Sequence, residues 1–179
     1  PGSTRIEQEG VLIECMHLVS DGVLREQAMR EVLASGNYPA RNPDQNLADL
    51  RAQLAATARG LEELGRMLGQ YGTVTVRTYM AHVQDNAEEA VRRAIDGLSS
   101  GTFRYELDSG ESISVRVEVD REQRSALIDF SGTSPQSPSN FNAPLAVCRA
   151  AVLYVFRTLV DHDIPMNEGC LRPLELRVP

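Results

Sequence analysis

The stretch 129-DFSGTSPQ-136, continued by 140-NFNAP-144, lies where an alternating strand gives way to a long apolar helix. Ala126, Ile128 and Phe130 recur at the period of two that is typical of a half-buried strand, and from Ala143 onward the apolar residues follow a helical period. The connection between the two elements is rich in hydroxyl and amide side chains. Such a loop offers short donors and acceptors beside the unpaired backbone groups of a helix start, so we interpret it as a candidate binding loop.

The polar side chains of this loop are the first candidates for contacts with a small-molecule substrate. They are Ser131, Thr133, Ser134, Gln136, Asn140 and Asn142. In an alternative interpretation, the hydroxyls bond only turn backbone and the two asparagines cap the following helix. A serine nucleophile needs a base within hydrogen-bond reach, and the sequence identifies none. We therefore assign no catalytic residue.

A second candidate contact is Arg172, in the segment 167-NEGCLRP-173 that follows the helix. Its guanidinium could bind a carboxylate or phosphate through two parallel hydrogen bonds, or it could form a structural ion pair. The sequence leaves both alternatives open. A glycine-rich phosphate loop ending in Lys and Ser or Thr does not occur, so we predict no ATP site in this chain.

The three histidines do not indicate a metal site. His17 lies in an apolar strand pattern and His82 in a helical one, and we interpret both as structural. His162 lies between Asp161 and Asp163, but three consecutive side chains rarely converge on one ion. We predict no metal ligand in this sequence.

Composition excludes several classes of partner. The net charge is -7 and only 5% of the 179 residues are aromatic, which argues against a nucleic-acid or anionic-membrane surface. The sequence contains neither an apolar run of about 20 residues nor a signal peptide, so we predict a cytoplasmic protein. Its three cysteines are odd in number and far apart, which predicts buried free thiols rather than disulfides.

Residues 1–41 are predicted to form a strand and a helix. The apolar residues 11–13 and 15–19 indicate a strand, and the pair Asp21-Gly22 supplies the positive φ of a tight turn. A helix from about Leu24 to Ser35 would end at Gly36, where glycine suits a left-handed cap.

Residues 42–101 are predicted to form an antiparallel helical hairpin. Asn42 is the expected N-cap, followed by Pro43 at the first helical position. A heptad seam follows, formed by Leu47, Leu50, Leu54, Thr57, Leu61, Leu64 and Leu68. After the break at residues 69–72, a second helix continues a similar spacing from Val76 to Leu98. We expect the two helices to bury the seam against each other; the alternative is docking of a partner helix.

Residues 102–179 are predicted to form a sheet with a buried helix. Three alternating segments, at residues 103–107, 113–119 and 126–130, indicate an antiparallel meander. The helix from Ala143 to about Val160 is apolar on most of its circumference, so we expect it to lie deep against the sheet. A short strand follows at residues 174–178. The fold class is therefore α+β, with all 179 residues forming one fragment of a larger domain.

Several segments of the sequence, in this order, resemble the hydantoinase B/oxoprolinase family. They are "STRIEQEGVLI", "NPDQNLADLRAQLAA", "YG" before a helix, "LDSG" before a strand, "DFSGTSPQ" with "NFNAP", and "DIPMNEGCLRPLELRVP". This resemblance covers nearly the whole chain. The sequence departs from the family where a proline-containing segment is expected after the "EG" piece.

The resemblance implies an internal to C-terminal fragment of a B subunit of the N-methylhydantoinase/5-oxoprolinase type. Such proteins hydrolyse a cyclic amide, a hydantoin or 5-oxoproline, together with an A-type subunit or domain that binds ATP and phosphorylates a carbonyl oxygen. A fragment of a hetero-oligomeric enzyme of this kind is expected to be inactive alone. The alternatives are a fragment of an acetone-carboxylase-like alpha subunit, which would carboxylate a ketone, and a non-catalytic assembly module that docks through the helical hairpin.

The resemblance assigns cofactors to other parts of the enzyme. ATP is expected on the A-type partner, and a divalent metal is a possible cofactor upstream in the parent protein, because the family motifs "NDP…GGTHLPD" and "HH" do not occur here. Only the loop residues that match the pattern "SGTSPQ…N.NAP" are carried over, as one wall of a substrate site.

Overall fold

The computed structural model describes residues 2–179, and it confirms the α+β class. The chain divides into two compact units. One comprises the chain through Gly72 together with residues 138–140, and the other comprises residues 73–137 and 141–179. Of the helices in the described residues, none combines the length and apolarity needed to cross a membrane.

The first unit contains a 3-10 turn, Ile6–Gln8, a short hairpin and two helices. Strand β1 (Val19–Ser20) pairs with β2 (Val23–Leu24) in antiparallel register. Asp21 and Gly22 connect them with φ values of 51° and 77°, which confirms the predicted Asp-Gly turn. Helix α1 (Glu26–Leu33) and helix α2 (Pro43–Tyr71) follow.

The strand predicted over residues 11–19 is wrong except at Val19. Residues 11–17 are irregular, and the side chains of Leu12 and Ile13 are 51% and 47% exposed. A strand needs a neighbouring strand to pair its backbone groups, and β2 reaches only Val19 and Ser20. Apolar alternation alone could not reveal that this partner is so short.

Helix α2 begins as predicted. The Asn42 side chain accepts a hydrogen bond of 3.2 Å from the backbone N–H of Gln45, and Pro43 is the first helical residue. Met29, Leu33 and Leu47 are the buried core of this unit.

The heptad seam of α2 is not buried as we expected. Leu47 is 1% exposed, but Leu61 is 68% exposed, and the intervening leucines Leu50 and Leu54 are half-buried. A heptad spacing shows which side chains share a face, whereas burial requires a partner for that face. Near the start of α2, Leu47 and Leu50 pack with Met29 and Leu33 of α1.

The second unit contains helix α3, a mixed sheet and helix α4. Helix α3 spans Thr73–Asp96, so the predicted second helix forms and begins three residues before Val76. The sheet has four strands in sequential order. They are β3 (Gly101–Glu106), β4 (Ser112–Asp120), β5 (Ser125–Asp129) and β6 (Leu174–Arg177).

The sheet is not wholly antiparallel, which corrects our expectation. Strands β3, β4 and β5 form the predicted meander, but β6 pairs with β5 in parallel. A parallel neighbour requires a long crossover, and helix α4 (Leu145–Leu159) lies within this connection.

Helix α4 buries one face only, rather than most of its circumference. Val152 and Phe156 are buried, as is Val160 directly after the helix, whereas Tyr154 and Val155 are 66% and 52% exposed. The buried face joins the α3 residues Ala87, Ala90, Val91 and Ile95 and the strand residues Ala126 and Ile128 in one core cluster.

The three cysteines are free thiols, as predicted. Only Cys170 is buried, however; Cys148 is half-buried and Cys15 is exposed. Cys15 lies in the irregular segment where the predicted strand does not form.

Candidate functional site

The loop that follows β5 is fixed to β4 by two of its hydroxyl residues. Thr133 Oγ1 accepts a hydrogen bond from the backbone N–H of Ser114 and donates one to its carbonyl oxygen, both at 3.1 Å. Ser134 donates its backbone N–H to the carbonyl of Ser112, and Ser134 Oγ accepts from the backbone N–H of Ser112, both at 2.9 Å. These contacts agree with the alternative interpretation in that the hydroxyls bond backbone groups, but the groups belong to β4 and not to the turn.

The start of the same loop is held by a buried carboxylate. Asp129 is 7% exposed, and its Oδ1 accepts the backbone N–H of Ser131 at 2.8 Å. Its Oδ2 accepts a hydrogen bond of 2.8 Å from the Arg116 guanidinium on the neighbouring strand. The hydroxyl and backbone N–H of Ser131, together with Arg116, hold the pKa of Asp129 far below its usual range.

We predict a pH-dependent stability effect at Asp129. A carboxyl whose pKa is depressed by folding contributes stability above its unfolded pKa of about 3.9, and this contribution is lost as the pH falls below that value. Asp129→Asn should therefore lower the melting temperature at pH 7, and the difference from wild type should shrink between about pH 4 and pH 2. Thermal unfolding followed by circular dichroism measures this. A difference that is constant over this range would contradict the role assigned to the carboxylate.

The end of the loop is closed by Asn142. Its Oδ1 accepts the backbone N–H of Ser137, and its Nδ2 donates to the carbonyl of Ser137, both at 2.9 Å. The alternative interpretation of Asn142 as a helix cap is wrong, because the N-cap residue of α4 is Pro144 and no side chain caps that position.

Glu111, directly before β4, is a loop contact that the sequence did not predict. Its Oε1 accepts a hydrogen bond of 3.0 Å from the Ser137 hydroxyl, and its Oε2 is buried without a hydrogen-bond partner among the described residues. The hydroxyls of Ser109 and Ser137 and its own backbone N–H lower the pKa of Glu111. The "LDSG" motif ends one residue before Glu111, which was the only local signal.

Four of the loop candidates are exposed, namely Ser131, Gln136, Asn140 and Asn142. The structure therefore separates the predicted contacts into two groups. The hydroxyls of Thr133 and Ser134 and the amide of Asn142 bond the protein itself, whereas Gln136 is an exposed residue.

Arg172 is engaged by helix α3. Its guanidinium donates to Asp85 Oδ1 at 2.8 Å, to Glu88 Oε2 at 3.2 Å and to Gln84 Oε1 at 2.6 Å. This geometry matches the structural ion pair rather than an anion site. The neighbouring Asn167 caps the short 3-10 helix Glu168–Leu171 by accepting the N–H of Gly169 at 2.8 Å.

The acidic residues around His162 do not converge. His162 Nδ1 lies 2.7 Å from Asp161 Oδ1, whereas Asp163 pairs with Arg157 at 3.0 Å. Within residues 2–179, no group of three or more His, Cys, Asp or Glu side chains is arranged to hold a metal ion.

A solved structure shares this fold. The crystal structure of the ATP-dependent caprolactamase from Pseudomonas jessenii is similar with a TM-score of 0.76 and 26% sequence identity, over 97% of this chain and 30% of that one. The matched region includes nearly every element described above.

The chain belongs to the hydantoinase B/oxoprolinase family, whose model matches residues 1–179. It is 39% identical to the 5-oxoprolinase PfmaA of Pestalotiopsis fici, over 100% of the chain and 15% of that protein. It is 38% identical to 5-oxoprolinase 1 of Arabidopsis thaliana, over 100% of the chain and 16% of that protein. The chain thus spans about one-sixth of the length of these 5-oxoprolinases.

Proposed function

We propose that this chain is a segment of an ATP-dependent enzyme that hydrolyses a cyclic amide such as 5-oxoproline or a hydantoin. The observation that carries the proposal is the match of the whole chain to the hydantoinase B/oxoprolinase family, supported by the similarity to an ATP-dependent caprolactamase. The names of these similar proteins refer to 5-oxoproline and caprolactam, and both of these molecules contain an amide bond within a ring.

Within such an enzyme, the loop of residues 131–142 forms one wall of the substrate site, and Gln136 binds the ring amide. The amide of a small ring is cis, so its N–H and C=O point to the same side. A carboxamide carries one acceptor oxygen and an NH2 donor side by side, and it can bond both groups at once. The inner hydroxyls hold the loop, and Gln136 is exposed at its outer part.

The partner of this segment is an A-type subunit or domain that binds ATP. It activates the ring carbonyl by phosphorylation, and the B-type portion carries out or shares the ring opening. We assign a divalent metal of the longer enzyme, where one is present, to residues outside this chain, because the described residues offer no ligand cluster. The cytoplasmic location stays a prediction.

The test is an assay of the longer protein with and without its A-type partner. We expect ADP release coupled to ring opening of 5-oxoproline, hydantoin or caprolactam, only when both parts are present. The 179-residue chain alone is expected to release no ADP and to open no ring. Turnover by the isolated chain, or ketone carboxylation in place of ring opening, would overturn the proposal.

A further inference from the structure

The outer edge of β3 is an unpaired strand edge in the second unit. Strand β3 is the first in the order β3-β4-β5-β6, and all six of its residues are exposed. It contains neither proline nor a bulge, which are common devices that protect such edges from pairing with another strand. Phe103 and Tyr105 are 65% and 58% exposed, so the edge also presents apolar surface.

The backbone groups of Arg104 and Glu106 point away from β4. In the antiparallel register, Arg104 lies opposite Ser114 and Glu106 opposite Ser112. Those two serines direct their own N–H and C=O groups to Thr133 and Ser134 on the other side of β4. Two directly opposite residues in an antiparallel pair of strands either bond each other through both N–H and C=O groups, or both direct these groups away from each other. Arg104 and Glu106 therefore present free donors and acceptors at the outer edge.

Two charged residues of this edge have no ion-pair partner among residues 2–179. Arg116 and Glu118 on β4, two residues apart, form an ion pair of 2.9 Å, and the pair Arg177 and Glu175 on β6 does the same at 3.0 Å. Arg104 and Glu106 have the same spacing, yet neither forms an ion pair with any described residue.

We propose that β3 pairs in antiparallel fashion with β3 of a second copy of this chain, with Tyr105 on the two-fold axis. In this register, Arg104 of each copy lies opposite Glu106 of the other, so two ion pairs form across the interface. Phe103 lies opposite Leu107 of the other copy, so the apolar side chains share one face of the joined sheet. The backbone N–H and C=O groups of Arg104 and Glu106 in both copies form hydrogen bonds across the interface. The neighbouring register centred on Arg104 would bring two arginines together.

Charge-reversal variants test the register by sedimentation velocity over a concentration series. The wild-type chain is expected to form a dimer. Arg104→Glu or Glu106→Arg alone places like charges opposite each other twice, and it should raise the dimer dissociation constant about tenfold or more. The double variant R104E/E106R exchanges the charges and should restore dimerisation. Arg177→Glu, on the opposite sheet edge, is the matched control and should leave the dimer unchanged.

Cysteine cross-linking is a second test of the register, and it does not require a measurement of the dimer dissociation constant. In a background with Cys15→Ser and Cys148→Ser, Tyr105→Cys should form a disulfide between copies, because directly opposite residues that are not hydrogen-bonded have Cα atoms about 4.5 Å apart. Phe103→Cys should not, because Phe103 faces Leu107. A monomeric wild type, a double variant that stays monomeric, or equal cross-linking at positions 103 and 105 would overturn the proposal.

Discussion

Replacing Gly169 with alanine is expected to lower the free energy of unfolding of the second unit by about 3 kcal/mol. A Cβ at this position would lie 2.1 Å from the carbonyl oxygen of Gln84 in α3 and 2.8 Å from Asn167 Oδ1. The closest atom belongs to a helix backbone, which cannot rotate away as a flexible side chain could. The 3-10 helix would have to move off α3, and with it the buried Cys170 and the contacts of Arg172.

Thermal unfolding of the 179-residue chain measures this effect. A loss of about 3 kcal/mol corresponds to a decrease of roughly 6–12 °C in the melting temperature of a domain of this size. Gly101→Ala is the matched control in the same unit, because nothing lies within 4 Å of a Cβ there. Equal melting temperatures for Gly169→Ala and the control would show that the contact between Gly169 and α3 is not tight.

This contact gives a physical meaning to part of the family motif 167-NEGCLRP-173. Asn167 caps the 3-10 helix, Gly169 allows its close approach to α3, Cys170 is fully buried and Arg172 binds three polar side chains of α3. The motif therefore fixes the segment that leads into β6. Arg172, which the sequence also allowed as an anion contact, belongs to this support.

Features decided by a few neighbouring residues could be predicted from the sequence. The Asp21-Gly22 turn, the Asn42 cap with Pro43, and the three-strand meander all follow from local turn and cap chemistry or from alternation. The α+β class followed from the same signals. In each case the sequence signal is local, and the strands of the meander are joined by short turns.

Features that depend on distant partners could not be predicted. The leucine seam of α2 and the apolar surface of α4 are visible in the sequence, but the sequence does not show how much of each face is covered. The parallel pairing of β6 with β5 also joins residues that are far apart in the sequence. Periodicity defines faces, and tertiary contacts decide which faces are buried.

The candidate site shows the same limit. The sequence located the loop, but it did not identify its anchors Ser112 and Ser114, because these lie on a strand about 20 residues earlier. Their alternation with Val115 and Val117 was the available signal. The hydroxyls of Thr133 and Ser134 bond these anchors and so have a structural role. Gln136 is exposed and remains a candidate for contact with a substrate.

The second large effect is expected at Gln136, in the longer enzyme assayed with its A-type partner. Gln136→Ala removes the two hydrogen bonds proposed for the ring amide. At about 0.5–1.5 kcal/mol each, their loss should raise KM for the cyclic amide about tenfold. Binding that is equal in the ground and transition states changes KM and leaves kcat unchanged. Because the side chain is exposed, the melting temperature should not change.

Gln123→Ala is the matched control, since Gln123 is an exposed glutamine in the turn between β4 and β5. The central claim is that the loop after β5 forms a wall of a cyclic-amide site, and the most direct measurement is KM for ATP-dependent ring opening in these two variants. We predict a KM about tenfold higher for Gln136→Ala and a wild-type KM for Gln123→Ala. A wild-type KM for both variants would contradict the claim.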